Sequence, residues 1–135
     1  MAKVVFNLTL HGGKDEFDYK RYAPDSEMKG TLTLYPNNTI NCKHLYLRLL
    51  WHTSGRGSRY TETVSELDLF QGTLQQGLPQ SFDFQFVLPH QPWSYEGHYI
   101  SIVWKIQAQI DVAWASDPKG ELGFVLRPFV EEAEF

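Results

Sequence analysis

The chain has 135 residues, 42% hydrophobic and 21% charged, with a net charge of −4 and a single cysteine. That length suits one domain, residues 1–135, burying roughly two-thirds of its unfolded surface without disulfides or metals. The acidic balance argues against a dedicated nucleic-acid binder, and lone Cys42 rules out an internal disulfide framework.

The first fourteen residues, MAKVVFNLTLHGGK, alternate in polarity and lack the continuous apolar core and small-residue cleavage site of a signal peptide. No stretch approaches the roughly 20 apolar residues needed to span a bilayer. The expectation is a soluble cytoplasmic protein with no membrane span.

Nearly every segment then shows period two, and none carries a capped helical stripe. Residues 3–10 place Val4, Phe6, Leu8 and Leu10 on one face. Residues 11–26 read as a long polar connection. A strand over 28–35 turns Met28, Leu32 and Leu34 inward and Thr31 and Thr33 outward, closing in a Pro-Asn-Asn turn. Residues 43–52 bring Leu45, Leu47, Leu49 and Trp51 together, with Tyr46 and Leu50 on the other face, as expected of a central strand. The turn 54–58, SGRGS, leads to a weakly alternating stretch, 59–70, expected as an edge strand or one broken in two. A short strand is expected at Thr73 and Leu74.

The pattern is clearest from 81 to 112. Phe82, Phe84, Phe86 and Leu88 alternate with polar neighbours, a joint spans 89–98, and Ile100, Ile102, Trp104, Ile106, Ala108, Ile110 and Val112 alternate again. At 100° per residue the second set would encircle a helix, whereas at 180° it forms one face of a strand. A run over 99–112 at about 3.3 Å per residue exceeds the usual strand length. A bend or bulge is therefore expected near 107–109. The sequence ASDPKG marks a reversal before a last strand over 121–129. With about seven or eight strands, the fold class is an all-β, immunoglobulin-like antiparallel sandwich.

Chemistry is harder to find. His11, His44, His52, His90 and His98 are scattered without metal-ligand spacing and read as surface or rim imidazoles. Cys42 and His44 are two apart and would share a strand face, but no orienting group or oxyanion hole accompanies them. The Gly-Gly-Lys turn at 12–14 is not a P-loop. Asn7 and Asn37 match the glycosylation pattern by chance in a chain read as cytoplasmic. No catalytic, cofactor-binding or metal-ligating residue is assigned, and the chain is not expected to be an enzyme. Lys43, Arg48, Arg56 and Arg59 form either an ordinary solvated surface or an anion-binding patch. Trp51 and Trp104 belong to the core, whereas Trp93 and Tyr95 in the joint either plug one end of the sandwich or anchor a partner. Trp114 is open to the same two roles, and the acidic tail EEAEF offers Phe135 with no evident dock. Trp93, Tyr95, Arg56 and Arg59 are the candidate partner-binding residues.

The order of motifs resembles the arrestin-like domain. A Gly-x-Leu-x-Leu strand at 30–34 precedes a long apolar strand ending in Trp-x-Thr-x-Gly at 51–55. A Leu-x-x-Gly element at 74–77 and Phe-x-Phe-x-Phe-x-Leu-Pro at 82–89 follow. Next come Pro-x-Ser-Tyr-Glu-Gly at 92–97 and Ile-x-Ile-x-Trp-x-Ile-x-Ala at 100–108. The resemblance covers 28–128 and is most specific at the joint and its flanking strands. There Pro89 stops the strand, Gly97 lets the chain re-enter the sheet, and Ser94 and Glu96 can bond free backbone groups. The family implies a non-enzymatic adaptor or scaffold that binds proteins. The chain has room for one sandwich where two in tandem are usual. It lacks a Pro-Pro-x-Tyr motif and the basic pair of the phosphate sensor, so single-domain members and the sporulation-control-like proteins of bacteria are the closer comparison. The partner is a protein of unstated identity, or a second copy forming a homodimer. A carbohydrate- or small-ligand-binding sandwich is the alternative.

Overall fold

In the computed structural model, which describes residues 3–57, 59–113 and 117–129, the chain is all-β. Strands β1 (Val4–His11), β4 (Glu27–Pro36) and β8 (Gln80–Val87) form one sheet in the order β1-β4-β8. The second sheet runs β2 (Lys14–Glu16), β3 (Tyr19–Tyr22), β11 (Lys119–Leu126), β10 (Ile100–Val112), β5 (Ile40–Gly55), β6 (Thr61–Asp68). Short β7 (Gly72–Leu74) adds to β5, and β9 (Tyr95–Glu96) adds to β10. All pairs are antiparallel except β3 with β11, which run parallel through Arg21–Val125 and Tyr22–Leu126. The eleven strands exceed the seven or eight expected because short β2, β3 and β9 carry too little alternation to show in the sequence.

The period-two faces meet in one core. Met28, Leu32, Leu34, Phe84 and Phe86 descend from the smaller sheet onto Leu45, Leu47, Leu49, Trp104, Ile106 and Ile110 of the larger. Each such Leu or Ile contributes about 1.5–3 kcal/mol relative to exposure. Phe82 and Leu88 complete the β8 face, Phe82 packing on Phe70 with ring centroids 5.5 Å apart. Trp51 pairs across the strands with Trp104 but is only half-buried.

Several expectations change. The polar connection over 11–26 is partly structured: β2 and β3 form a hairpin, and Tyr22 is buried with its hydroxyl donating to the His11 carbonyl at 2.6 Å. Its strands are held by backbone pairing and by cross-strand ion pairs, Lys20–Asp15 at 2.7 Å and Arg21–Glu16 at 2.9 Å, so they need few apolar residues. The expected bend in β10 near 107–109 is absent. β5, at 16 residues, matches it, and the two pair without interruption from Ile100–Gly55 to Asp111–His44. The register shifts only between Asp111 and Val112, where Lys43 is the extra residue. That bulge reverses parity, so Cys42 is buried while His44 is half-exposed beside Tyr46. Residues two apart share a face only in an unbroken strand. Strand β6 is an edge, with its own bulge at Val64. Ile100, placed inward by its parity, is 46% exposed because the strand outruns its cover. Ser58 of the SGRGS turn, Trp114 and the tail with Phe135 lie outside the described residues.

Candidate functional site

The joint between β8 and β10 is fixed from within. Leu88 is buried, and Pro89 accepts a hydrogen bond from Asp25 N at 3.4 Å. The indole of Trp104, fully buried, donates to the Pro92 carbonyl at 2.7 Å. Ser94 then ties the joint to β11: its amide donates to Leu126 O at 2.8 Å, and its hydroxyl accepts from Leu126 N at 2.9 Å. Arg127 Nε adds a bond to Ser94 O at 3.1 Å. The Ser94 side chain thus bonds a neighbouring strand and not its own turn. Gly97 is required for space, not for an unusual φ. A Cβ there would lie 2.4 Å from the Tyr95 ring and 2.5 Å from Ile100 O.

This scaffold presents a groove of about 1060 Å³ on the outer face of the larger sheet. Val103, Lys105, Gly123 and Val125 line it from β10 and β11, Tyr95 and Glu96 from β9, and Glu16, Phe17 and Tyr19 from the β2–β3 hairpin. Tyr95 is 56% exposed, Tyr19 51% and Phe17 98%. Phe17 holds a φ of 54° at the hairpin tip, a left-handed conformation costing about 1–2 kcal/mol for a bulky residue. Gly123 lets Tyr19 lie close, since a Cβ there would sit 3.3 Å from the Tyr19 ring.

Charges in the groove are mostly neutralised. Lys105 Nζ lies 3.0 Å from Glu121, which also accepts from Gln107 at 2.8 Å. Burial raises the Glu121 pKa, but the Lys105 and Gln107 hydrogen bonds outweigh it and hold the carboxyl below its ordinary value. His52 is displaced the other way for a base. Burial is the main cause pushing its pKa down, with Arg59 and Lys105 adding to it, so the imidazole is neutral at pH 7.

Beside the groove lies a cleft of about 150 Å³ lined by Arg56, Arg59, Gly55 and Ile100, and Ser54 lines both. Gly55 has a φ of 141°, and a Cβ there would meet Tyr99 O at 2.2 Å. The Arg56 guanidinium rests 5.6 Å from the Tyr99 ring centroid. Three of the four residues singled out from sequence, Tyr95, Arg56 and Arg59, therefore converge where β5 ends and β10 begins. Trp93 lines neither cavity: it is 42% exposed, and its indole N–H donates to His90 O at 2.8 Å. The four cations do not form one patch, because Arg48 bonds Glu66 at 2.6 Å and Gln109, and stacks over Tyr46. Phe17, Tyr19 and His52 were not legible as site residues. The only signal was aromatics inside an otherwise polar loop.

The remaining reactive groups are separate. Burial, with Asp68 and Asp111 adding to it, pushes the Cys42 thiol up to about 11. His44 instead bonds Asp68 at 2.6 Å and stacks on Tyr46. Burial raises the Asp68 pKa, but hydrogen bonds from His44 and Gln71 more than offset it. His90 bonds Asp25 at 2.8 Å. Among the described residues no group of three or more His, Cys, Asp or Glu could hold a metal ion, and no helix is long and apolar enough to cross a membrane.

No family model and no curated protein sequence matches the chain. Among solved structures it is similar to the sporulation control protein Spo0M from Bacillus subtilis. The identity is 18% and the TM-score 0.67, over 93% of this chain and 49% of that one. The chain thus spans about half the length of that protein. The fold is the arrestin-like β-sandwich that the joint and its flanking strands resemble.

Proposed function

We propose that this is a non-enzymatic, protein-binding adaptor or scaffold module, a single cytoplasmic domain over 1–135, that takes an extended segment of a partner protein along the outer groove. The observation carrying this reading is that exposed aromatics from two separate elements, Phe17 and Tyr19 from the β2–β3 hairpin and Tyr95 from β9, line one sheet-floored groove. Such side chains supply large contact area at low entropic cost, and they dominate interface energetics. Arg56 and Arg59, one step along through Ser54, suit an acidic residue in the same segment. The non-enzymatic part is supported by the state of the reactive groups: the thiol is buried and hard to ionise, and Lys105 and Glu121 neutralise each other.

Selection from a displayed peptide library, followed by fluorescence anisotropy with the recovered sequences, tests the reading. Tyr95→Ala and Phe17→Ser should each weaken binding by about tenfold or more, equivalent to about 1.4 kcal/mol. Arg56→Ala with Arg59→Ala should remove a preference for acidic residues. Recovery of no peptide, together with a glycan-array ligand lost in Tyr95→Ala, would replace this reading with the carbohydrate-binding one.

A further inference from the structure

The four sheet edges are not equally defended against pairing with another strand. Strand β1 is closed against the opposite sheet: Phe6 packs on Gly120, where a Cβ would sit 2.6 Å away, and Tyr22 bonds the His11 carbonyl. Strand β2 has only three residues, all charged, and β6 is bulged at Val64 and carries acidic side chains. Strand β8 is different. It runs eight residues in unbroken register with β4, contains no proline, and bears one charge, Asp83. Among the described residues no other strand pairs with it.

The register shows which backbone groups β8 leaves open. Leu88 N donates to Ser26 O, so the hydrogen-bonded pairs with β4 continue through Phe86, Phe84 and Phe82. The N–H and C=O of Ser81, Asp83, Gln85 and Val87 therefore point away from β4, and their side chains face solvent.

We infer that this edge pairs with β8 of a second copy of the chain, antiparallel about a two-fold axis at Phe84, joining two three-stranded sheets into one of six. That register sets Asp83 opposite Gln85 of the second copy and Ser81 opposite Val87, each twice. Asp83 already accepts from Thr31 at 2.8 Å and Gln85 already donates to Glu27, but each retains a free oxygen or amide hydrogen for the new pair. On the inner side Phe84 meets Phe84, and half-buried Phe82 meets Phe86, extending the aromatic face. Moving the axis to Asp83 opposes two carboxylates, and moving it to Gln85 sets Asp83 against Val87, so chemistry favours the Phe84 register. This edge lies on the smaller sheet, away from the groove, and the inference stands without the proposed function.

Sedimentation equilibrium of the 135-residue chain over a roughly hundredfold concentration range should show a monomer–dimer equilibrium. Gln85→Pro removes an edge donor but no β4 bond. It should weaken the dimer by about tenfold or more while the circular dichroism stays unchanged. Gln85→Asp, which faces Asp83 with a like charge twice, should weaken it comparably, and the exchange Asp83→Gln with Gln85→Asp should restore it. If Gln85→Pro fails to fold, the Gln85→Asp variant and the exchange decide. A strict monomer at every concentration, a dimer indifferent to Gln85→Asp, or an exchange that does not restore pairing would overturn the inference.

Discussion

In the middle of β10, Trp104, Ile106, Ala108 and Ile110 are fully sequestered, whereas at its start Ile100, on the same alternating face, is 46% exposed and Ile102 is half-buried. Both stretches pair with β5 in one continuous register. The difference lies in what covers them: the smaller sheet packs over the middle, whereas the start meets β5 and β9 edge to edge. An apolar strand face is therefore core only as far as its cover extends. Beyond it, the same pattern supplies a rim, here beside Tyr95, Tyr99, Arg56 and Arg59.

Substitutions along the strand and joint sharpen that contrast. Trp104→Ala removes a core side chain and the bond to Pro92 O, and should cost about 3–5 kcal/mol by urea denaturation. A loss below about 1 kcal/mol would place Trp104 outside the core that organises the joint. Gly97→Ala forces a Cβ onto the Tyr95 ring and Ile100 O, so about 1–3 kcal/mol should be lost, with Tyr95 displaced from the groove. Ser94→Ala strands the Leu126 amide and should cost about 1 kcal/mol in the same assay. Ile100→Ala, at the exposed start, should change stability by no more than about 0.5 kcal/mol. An Ile100 cost rivalling that of Trp104 would erase the distinction.

Acid should act on stability in two windows. His52 has a folded pKa below its ordinary value of about 6.5, so the unfolded chain binds the extra proton. Its contribution is fully present above that value and falls as the pH drops below it. Glu121 and Asp68, also depressed, contribute above the ordinary carboxylate range and lose that stability at lower pH. Thermal melts from pH 7 to about pH 5 should decline, and His52→Gln should flatten the decline. An unchanged slope in that variant would remove His52 as its source.

Period two, at Phe82, Phe84 and Phe86 and from Ile102 to Ile110, made the sandwich legible, and the 92–97 motif made the joint legible. What could not be read depended on single insertions and on cover. One bulge at Lys43 separated Cys42 from His44, which spacing alone had placed together. The β2–β3 hairpin is carried by backbone bonds and ion pairs, so its polar side chains resembled a loop and hid Phe17 and Tyr19. Tyr95, Arg56 and Arg59 were found because the joint and the SGRGS turn are unusual in composition. Their convergence needed the uninterrupted β5–β10 register.

Amide chemical-shift mapping of the full chain with a peptide recovered by display locates where the partner segment lies. Shifts should fall on the groove and its adjoining cleft, at Phe17, Tyr19, Ser54 to Arg59, Tyr95 to Lys105 and Gly123 to Val125, and should shrink in Tyr95→Ala at the same peptide concentration. Shifts elsewhere on the surface, or unaltered in that variant, would contradict that placement.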